Sequence, residues 1–220
     1  MQTIRIAFLS LAGAFAGAAL APPASAATPG IDFKAPSAYP EGIAFNPKNK
    51  DVWFTNHGRD WAGNDIPNDT LHRVPIKSAV PNFGYPFCHQ GNVLDPDFGK
   101  NRSCDEFAKP AQLLGAHIAP LGLKFYDGKM FPAEYQNNIF IAMHGSWNRT
   151  VKQGYNVMRI KLDEKGNASK PEPFLTGFLQ DEKADPPMWG RPVDLLVMKD
   201  GSMLVSDDYN GVIYRISYGK

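Results

Sequence analysis

The chain has 220 residues, of which 43% are apolar and 20% are charged, as in an ordinary globular protein. This composition excludes collagen-like, coiled-coil and disordered chains, and a formal charge of +1 without a basic stripe excludes a nucleic-acid partner. The 20 glycines, 19 prolines and 12% aromatic residues favour many short strands over long helices, so we expect an all-β protein.

The first 26 residues have the features of a secretory signal peptide. A short basic start ends at Arg5, residues 6–21 are apolar with one serine, and Ala24-Ser25-Ala26 offers the small residues of a cleavage site. A retained membrane anchor is the alternative, but it calls for about 20 apolar residues and no cleavage motif. We expect a periplasmic or secreted chain, residues 27–220, with no membrane span after processing.

Export changes the interpretation of the two cysteines. Cys88 and Cys104 are the only cysteines in the sequence and lie 16 residues apart. In an oxidising compartment they can form one disulfide, whereas two free buried thiols are the alternative.

A pattern of strand, turn, strand, loop and strand occurs three times. Its first strands are the segments PEGIAF, PLGLKF and PVDLLV, which begin at Pro40, Pro120 and Pro192. Each is followed by an apolar run that ends in polar residues and then by a third segment with one arginine. These arginines are Arg73, Arg159 and Arg215. Because they recur once per repeat, we expect them to be structural.

Repeated antiparallel sheets of this kind stack radially in β-propellers, which have 4 to 8 blades. Three repeats are too few for a closed ring, so either a fourth blade lies within residues 75–115 or another copy completes the ring. Residues 75–115 are rich in Pro, Gly and Asn and lack a period, so we interpret them as a disulfide-tied excursion. The predicted fold is a partial β-propeller of about three to four four-stranded antiparallel blades.

Seven short strings over residues 42–220 occur together in one order. They are WFTNHGRDW from Trp53, FGYPFCHQG from Phe83, AHIAPLG from Ala116, HGSWNR from His144, Gly154-Tyr155, WGRPVD from Trp189 and SDD from Ser206. In these strings the chain resembles the pyrroloquinoline-quinone-dependent sugar dehydrogenases, and most closely the L-sorbosone dehydrogenase branch. Members of that family are exported six-bladed propellers, and the resemblance covers their C-terminal half.

The resemblance implies pyrroloquinoline quinone and calcium as cofactors. Relatives hold calcium by two backbone carbonyls after the second strand of a blade, at positions that match Gly58 and Arg59. Calcium accepts such oxygens readily, and Asp60, Asp65 and Asp69 add negative charge to the same loop. An Asp/Asn-rich turn without a metal is the alternative interpretation.

The resemblance also implies residues that bind the quinone. Arg191 matches an arginine that contacts it in relatives, and Arg149, with Asn148 beside it, matches a cationic contact. A guanidinium group meets a carboxylate with two parallel hydrogen bonds, although a surface ion pair is the alternative for either arginine. Trp189 and Trp147 are suited to stack on a flat cofactor or a sugar, or else to pack between blades.

The catalytic residue stays unknown, because the proton-abstracting histidine of the relatives lies in a blade outside the matched half. His57, His117 and His144 occupy matching strand ends and are placed to face the central channel. The Arg-Asn pair that clamps the cofactor in relatives matches Ala38-Tyr39 here.

Two hypotheses follow from these features. In the first, the protein is an exported quinoprotein dehydrogenase for a sugar or sugar-derived aldehyde, with its ring completed by a second copy or a separate chain. In the second, it is a noncatalytic, truncated propeller that at most binds carbohydrate or a partner.

Overall fold

A computed structural model of the chain describes residues 4–9, 40–60, 62–181, 184 and 186–219, with the backbone alone for residues 4–9. The predicted cleavage site at Ala26 and the pair Ala38-Tyr39 lie outside the described residues. Within the described residues the protein is all-β, with two short 3-10 helices at Cys104–Glu106 and Ala133–Tyr135. No helix in this part of the chain is long and apolar enough to cross a bilayer.

Three four-stranded antiparallel sheets form the described structure. The strand β1 (Ile4–Leu9) comes first in the chain and belongs to the third sheet. The first sheet contains β2 (Pro40–Phe45), β3 (Val52–Asn56), β4 (Asn68–Val74) and, after the short ribbon of β5 (Cys88–His89) and β6 (Val93–Leu94), β7 (Gln112–Ala116). The second sheet contains β8 (Pro120–Phe125), β9 (Ile139–Met143), β10 (Asn156–Ile160) and β11 (Glu172–Leu175). The third contains β12 (Pro192–Val197), β13 (Met203–Asp207) and β14 (Val212–Tyr218), with β1 on the outside.

The three sequence repeats are the three sheets. The segments PEGIAF, PLGLKF and PVDLLV are the inner strands β2, β8 and β12, and they lie next to one another. A Cβ on Gly42 would lie 2.1 Å from the Leu121 carbonyl oxygen, and one on Gly122 would lie 2.3 Å from Asp194 Oδ1. Glycine is therefore required in the inner strand wherever two sheets come into contact.

The apolar core lies between the sheets. Trp53, Leu71 and Ile141 are buried between the first and second sheets, and Phe140 and Tyr214 belong to the cluster between the second and third. The strand β9 lies between the two clusters: Phe140 packs in the cluster with the third sheet and Ile141 in the cluster with the first, so all five of its residues are buried.

Each recurring arginine pairs with an acidic residue near its own strand. Arg73 contacts Asp51 at 2.7 Å, and Arg159 contacts Glu172 at 3.0 Å. Arg215 contacts Asp200. These contacts fit the structural role expected from their recurrence.

The excursion ends earlier than the sequence indicates. Residues 112–115, which we had placed in it, belong to β7, the outer strand of the first sheet. The excursion, residues 75–111, contains the disulfide between Cys88 and Cys104 and the two-stranded ribbon β5–β6, and it is not a fourth blade.

The predicted signal peptide overlaps β1. The backbone of β1 pairs antiparallel with β14, from Ile4 opposite Tyr218 to Leu9 opposite Ile213. Signal-peptide cleavage stays a prediction, and it would leave β14 as the edge of the third sheet.

Candidate functional site

A cavity of about 230 Å³, here called the strand-end cavity, opens where strands of all three sheets end. Its polar lining comes from the loop after β3, from β4, from the loop after β7, from the loop after β9 and from the residue before β12. These polar residues are His57, Asp60, Asp69, His117, His144, Asn148 and Arg191. The strands of neighbouring sheets end at the same edge. Seven polar residues that are far apart in sequence therefore meet there.

All three histidines expected at strand ends line this cavity. His57 Nε2 and His117 Nδ1 are buried and have no hydrogen-bond partner among the described residues. His117 Nε2 lies 2.8 Å from the Gly63 carbonyl oxygen and 3.0 Å from that of Ile66, so this nitrogen carries the proton that it donates. The other ring nitrogen of His117, Nδ1, lies 3.5 Å from Asp60 Oδ1.

Asp69 ties two loops of the cavity together. Its carboxylate accepts the backbone N–H of Gly58 at 2.7 Å and that of Ala119 at 2.9 Å. Burial raises its pKa, and these hydrogen bonds together with the nearby histidines oppose that rise. Asp69 thus fixes the backbone at Gly58, one of the two positions expected to hold calcium.

His144 and Arg191 form the other wall. His144 Nε2 lies 2.9 Å from Asp208 Oδ1, and Arg191 donates to the carbonyls of His144 and Gly145, each at 3.1 Å. Burial lowers the pKa of His144, and the charge of Arg191 adds to this, while Asp208 opposes it. The ring is therefore neutral near pH 7, with the proton on Nε2 directed to Asp208 and a lone pair on Nδ1.

Other predicted site residues have different surroundings. Asn148 lines the cavity and donates to Asp60 at 3.0 Å. Arg149 does not line it, because its guanidinium pairs with Asp65 at 3.2 Å and donates to the Asn64 carbonyl. The Arg59 side chain likewise points to acids of the excursion, Asp95 at 2.7 Å and Asp97 at 2.6 Å.

The two tryptophans have different environments: one packs within the protein, and the other lines the cavity. Trp189 packs on Phe178, with ring centroids 5.1 Å apart, and its Nε1 donates to the Gly177 carbonyl at 2.5 Å. It therefore belongs to the packing of the third sheet. Trp147 lines the strand-end cavity and is 56% exposed.

Sequence reasoning missed Asp208 as a functional residue and assigned Asp69 only to a general acidic cluster. Asp208 lies in the SDD string directly after β13, at the same kind of strand end as the three histidines. Its position directly after a strand would thus have predicted that it lies near these histidines. The pairing of Asp208 with His144 depends on the contact between the second and third sheets.

Comparison with known proteins places the chain in a family. A family described as TrAA12-like matches residues 92–219. The calcium structure of a Trichoderma reesei carbohydrate-active enzyme of family AA12 has a TM-score of 0.68 at 22% identity, covering 81% of this chain and 51% of that one. The holo form of the pyranose dehydrogenase PQQ domain from Coprinopsis cinerea has a TM-score of 0.58 at 22% identity, covering 81% and 53%.

Two curated proteins are similar in sequence. An uncharacterized protein of Borreliella burgdorferi is 38% identical over 181 residues, which are 81% of this chain and 46% of that protein. The pyrroloquinoline quinone-dependent pyranose dehydrogenase of Coprinopsis cinerea is 32% identical over 126 residues, which are 49% of this chain and 16% of that protein. The chain thus spans less than half the length of either of these curated relatives.

The predicted resemblance to the C-terminal half of the quinone-dependent sugar dehydrogenases is confirmed. The solved structures share the fold of this chain, and the sequence similarity to the pyranose dehydrogenase supports a protein of the dehydrogenase-like kind. The match over residues 92–219, more than half of the chain, shows that this protein belongs to the TrAA12-like family.

Proposed function

We propose that this protein is an exported quinoprotein dehydrogenase that oxidises a sugar or sugar-derived aldehyde with pyrroloquinoline quinone and calcium. The observation that carries the proposal is the strand-end cavity, where Arg191, three histidines and two carboxylates meet. Such a set of convergent polar groups in a cleft is typical of a site for a small polar ligand.

The residues of the cavity fit the two cofactors. Arg191 supplies a guanidinium for a carboxylate or quinone oxygen, and the rings of His57 and His117 are further polar contacts. The Asp60 carboxylate and the backbone carbonyls of Gly58 and Arg59 are oxygen ligands of the type that calcium prefers. A cation there would also offset the repulsion between Asp60 and an anionic quinone.

Within this proposal the chain's own residues bind the substrate and move its proton. When bound, pyrroloquinoline quinone would supply the acceptor for a hydride from the substrate carbon, and calcium would supply a Lewis acid. His144 is prepared to accept a hydroxyl proton at Nδ1, because its ring is neutral and Asp208 fixes the proton on Nε2. Trp147 lines the same cavity and is an aromatic residue of the kind on which sugars pack.

We further propose that a second copy of this chain completes the ring. The aligned 81% of this chain covers 51% of the AA12 chain, so the aligned parts of two copies would together span about one AA12 chain. Apolar side chains are exposed at both ends of the row of sheets: Ile43 and Phe45 on β2, and Leu196 and Ile213 on the third sheet. Such apolar patches at opposite ends suit a head-to-tail contact that closes on itself.

The ion pairs of two arginines favour the alternative of carbohydrate or partner binding without turnover. Arg59 is held by Asp95 and Asp97, and Arg149 is held by Asp65. Both guanidinium groups are thus engaged within the protein, which leaves Arg191 as the arginine that lines the strand-end cavity within the described residues.

Reconstitution of the purified mature protein distinguishes the two functions. The protein is incubated with pyrroloquinoline quinone and calcium, quinone binding is measured by equilibrium titration, and dye reduction is followed with aldoses and sorbosone. The proposal predicts quinone binding that requires calcium and dye reduction that requires both. Absence of quinone binding and of dye reduction at high protein concentration would leave the binding-only alternative.

A further inference from the structure

A second cavity, of about 410 Å³, lies beside the strand-end cavity and is here called the excursion cavity. One side is the loop after β3, and the other is the excursion, which contributes Tyr85, His89, Asp95 and Phe98. His57, Gly58 and Asp60 line both cavities, so the loop after β3 is their common wall. A ligand that passes over this loop would contact both spaces.

The base of the excursion cavity is a rigid network around Asp95. Its side chain is 2% exposed and accepts from Arg59 at 2.7 Å and from His89 Nε2 at 2.9 Å. It also accepts the backbone N–H groups of Asp97 and Phe98, each at 2.9 Å. Burial raises the pKa of Asp95, but the bonds from His89 and Arg59 outweigh it and hold that pKa well below its usual range.

This network holds an aromatic ring at the mouth of the cavity. Phe98 is 58% exposed although its backbone is bonded to the buried Asp95. The chain turns sharply after Phe98 and brings Gly99 close to the backbone of Asp95. A Cβ on Gly99 would lie only 2.6 Å from the Asp95 carbonyl oxygen, so this turn requires glycine. An exposed apolar ring on such a rigid turn, with Tyr85 inside the cavity, is a prepared surface for the apolar face of a ligand.

The charges of the cavity favour an uncharged ligand with hydroxyl groups. The guanidinium of Arg59 is already shared between two carboxylates, so it offers little free positive charge to a phosphate or an acid. The Asp60 carboxylate accepts hydrogen bonds from hydroxyl groups and repels anions. Aromatic faces with neighbouring carboxylates match a neutral sugar ring, which has an apolar face and polar edges.

We propose that the excursion cavity binds the second sugar ring of a neutral disaccharide or glycan end whose first ring occupies the strand-end cavity, an inference that rests on the proposed function. The common wall of His57, Gly58 and Asp60 would then lie beneath the linkage between the two rings. Phe98 would determine the preference for a substrate longer than one ring.

Binding measurements without quinone test the proposal. Glucose, maltose and cellobiose are titrated into the purified protein by calorimetry. We expect at least one disaccharide to bind about tenfold more tightly than glucose, and Phe98→Ala to remove this gain while leaving the affinity for glucose unchanged. Leu94→Ala is the matched control, because Leu94 is exposed in the same excursion but does not line the cavity.

The results separate this inference from the proposed function. If no disaccharide binds more tightly than glucose, or if Phe98→Ala leaves disaccharide affinity unchanged, the second subsite is wrong even where the protein oxidises glucose. If the disaccharide preference depends on Phe98 but no quinone-dependent oxidation occurs, the subsite stands and the dehydrogenase function fails. A loss of disaccharide affinity in Leu94→Ala equal to that in Phe98→Ala would also overturn the assignment.

Discussion

Polar residues at strand ends line the strand-end cavity and are held there by contacts with other loops. Asp69 accepts a hydrogen bond from the backbone of Gly58, and Asp208 contacts the ring of His144. Both partners are distant in sequence from the carboxylate that holds them. Arg191 combines two roles, since it holds the carbonyls of His144 and Gly145 and also lines the cavity. A change at any of these positions therefore affects both local geometry and ligand binding.

Arg191→Ala is expected to weaken pyrroloquinoline quinone binding about thirtyfold, because a charge-assisted contact with the ligand is lost. Arg191→Lys should recover part of that loss, since it keeps the charge but not the planar fork. Equilibrium titration in calcium-containing buffer measures both affinities. Arg215→Ala is the control, because Arg215 pairs with Asp200 outside the cavity; equal quinone affinity in all three variants would contradict the assigned role.

His72 is expected to make the stability of the fold depend on pH. It is buried between Phe54 and Phe83, and burial lowers its pKa from 6.5 to about 4. As the pH falls, the unfolded chain therefore binds a proton at His72 before the folded chain does. The free energy of unfolding is accordingly at its full value above pH 6.5 and decreases toward pH 4. The loss should approach about 3 kcal/mol.

Urea unfolding of the wild type and of His72→Phe between pH 7 and pH 4 measures this effect. The free energy of unfolding should fall less steeply with decreasing pH in the variant, which has no titrating ring at this position. Parallel pH profiles for the two proteins would show that His72 is not the responsible group.

At the scale of elements, the excursion covers part of the outer face of the first sheet, which no other sheet of the chain covers among the described residues. Phe83 packs on the outer face of the first sheet, where it contacts Phe54 with ring centroids 5.0 Å apart and shares a cluster with Val52 and Val74. The excursion does not reach the inner strand, where Ile43 and Phe45 on the same face stay exposed. The disulfide between Cys88 and Cys104 limits the freedom of this covering segment in the unfolded chain.

Phe83→Ala is expected to lower the free energy of unfolding by about 3 kcal/mol, because it removes buried apolar contacts and leaves a cavity over the first sheet. Phe98→Ala in the same excursion is the control and should cost less than about 0.5 kcal/mol, since that ring is exposed. Chemical denaturation measures both values. Similar small losses for the two variants would show that the excursion does not stabilise the sheet.

At the scale of the whole molecule, the row of three sheets has two unlike ends. The outer face of the third sheet presents Leu196, Met198 and Ile213, all more than a third exposed. The opposite end presents Ile43 and Phe45 beside the excursion. Neighbouring sheets within the chain contact one another through their inner strands, and the same strands carry much of the apolar exposure at the two ends.

The mature protein is therefore expected to form a dimer, and Leu196→Lys should shift it to a monomer, because a charge would be buried at the contact. Multi-angle light scattering across a concentration series measures the mass. Val151→Lys, in the loop after β9 of the middle sheet, is the matched control and should leave the dimer intact, because Val151 is exposed away from both ends. A wild type that is monomeric at every concentration would exclude completion of the ring by a second copy.

The sequence by itself determined the repeat and its inner strands. Pro40, Pro120 and Pro192 begin three similar segments, and the close approach of sheets at Gly42 and Gly122 explains why glycine recurs in the first two. An apolar run that ends in polar residues is a local pattern, so a single segment reveals a buried strand and its end. The pairing of Cys88 with Cys104 was likewise limited to one choice.

Only the tertiary structure decided which of the predicted site residues meet. His57, His144 and Arg191 share one cavity, whereas Arg149 turns to Asp65 and Trp189 packs on Phe178. Side-chain direction at a strand end depends on which loop of the neighbouring sheet offers a partner, and no local pattern encodes that contact. The chemistry of each residue could thus be read along the chain, but its partner was fixed by the packing of one sheet against the next.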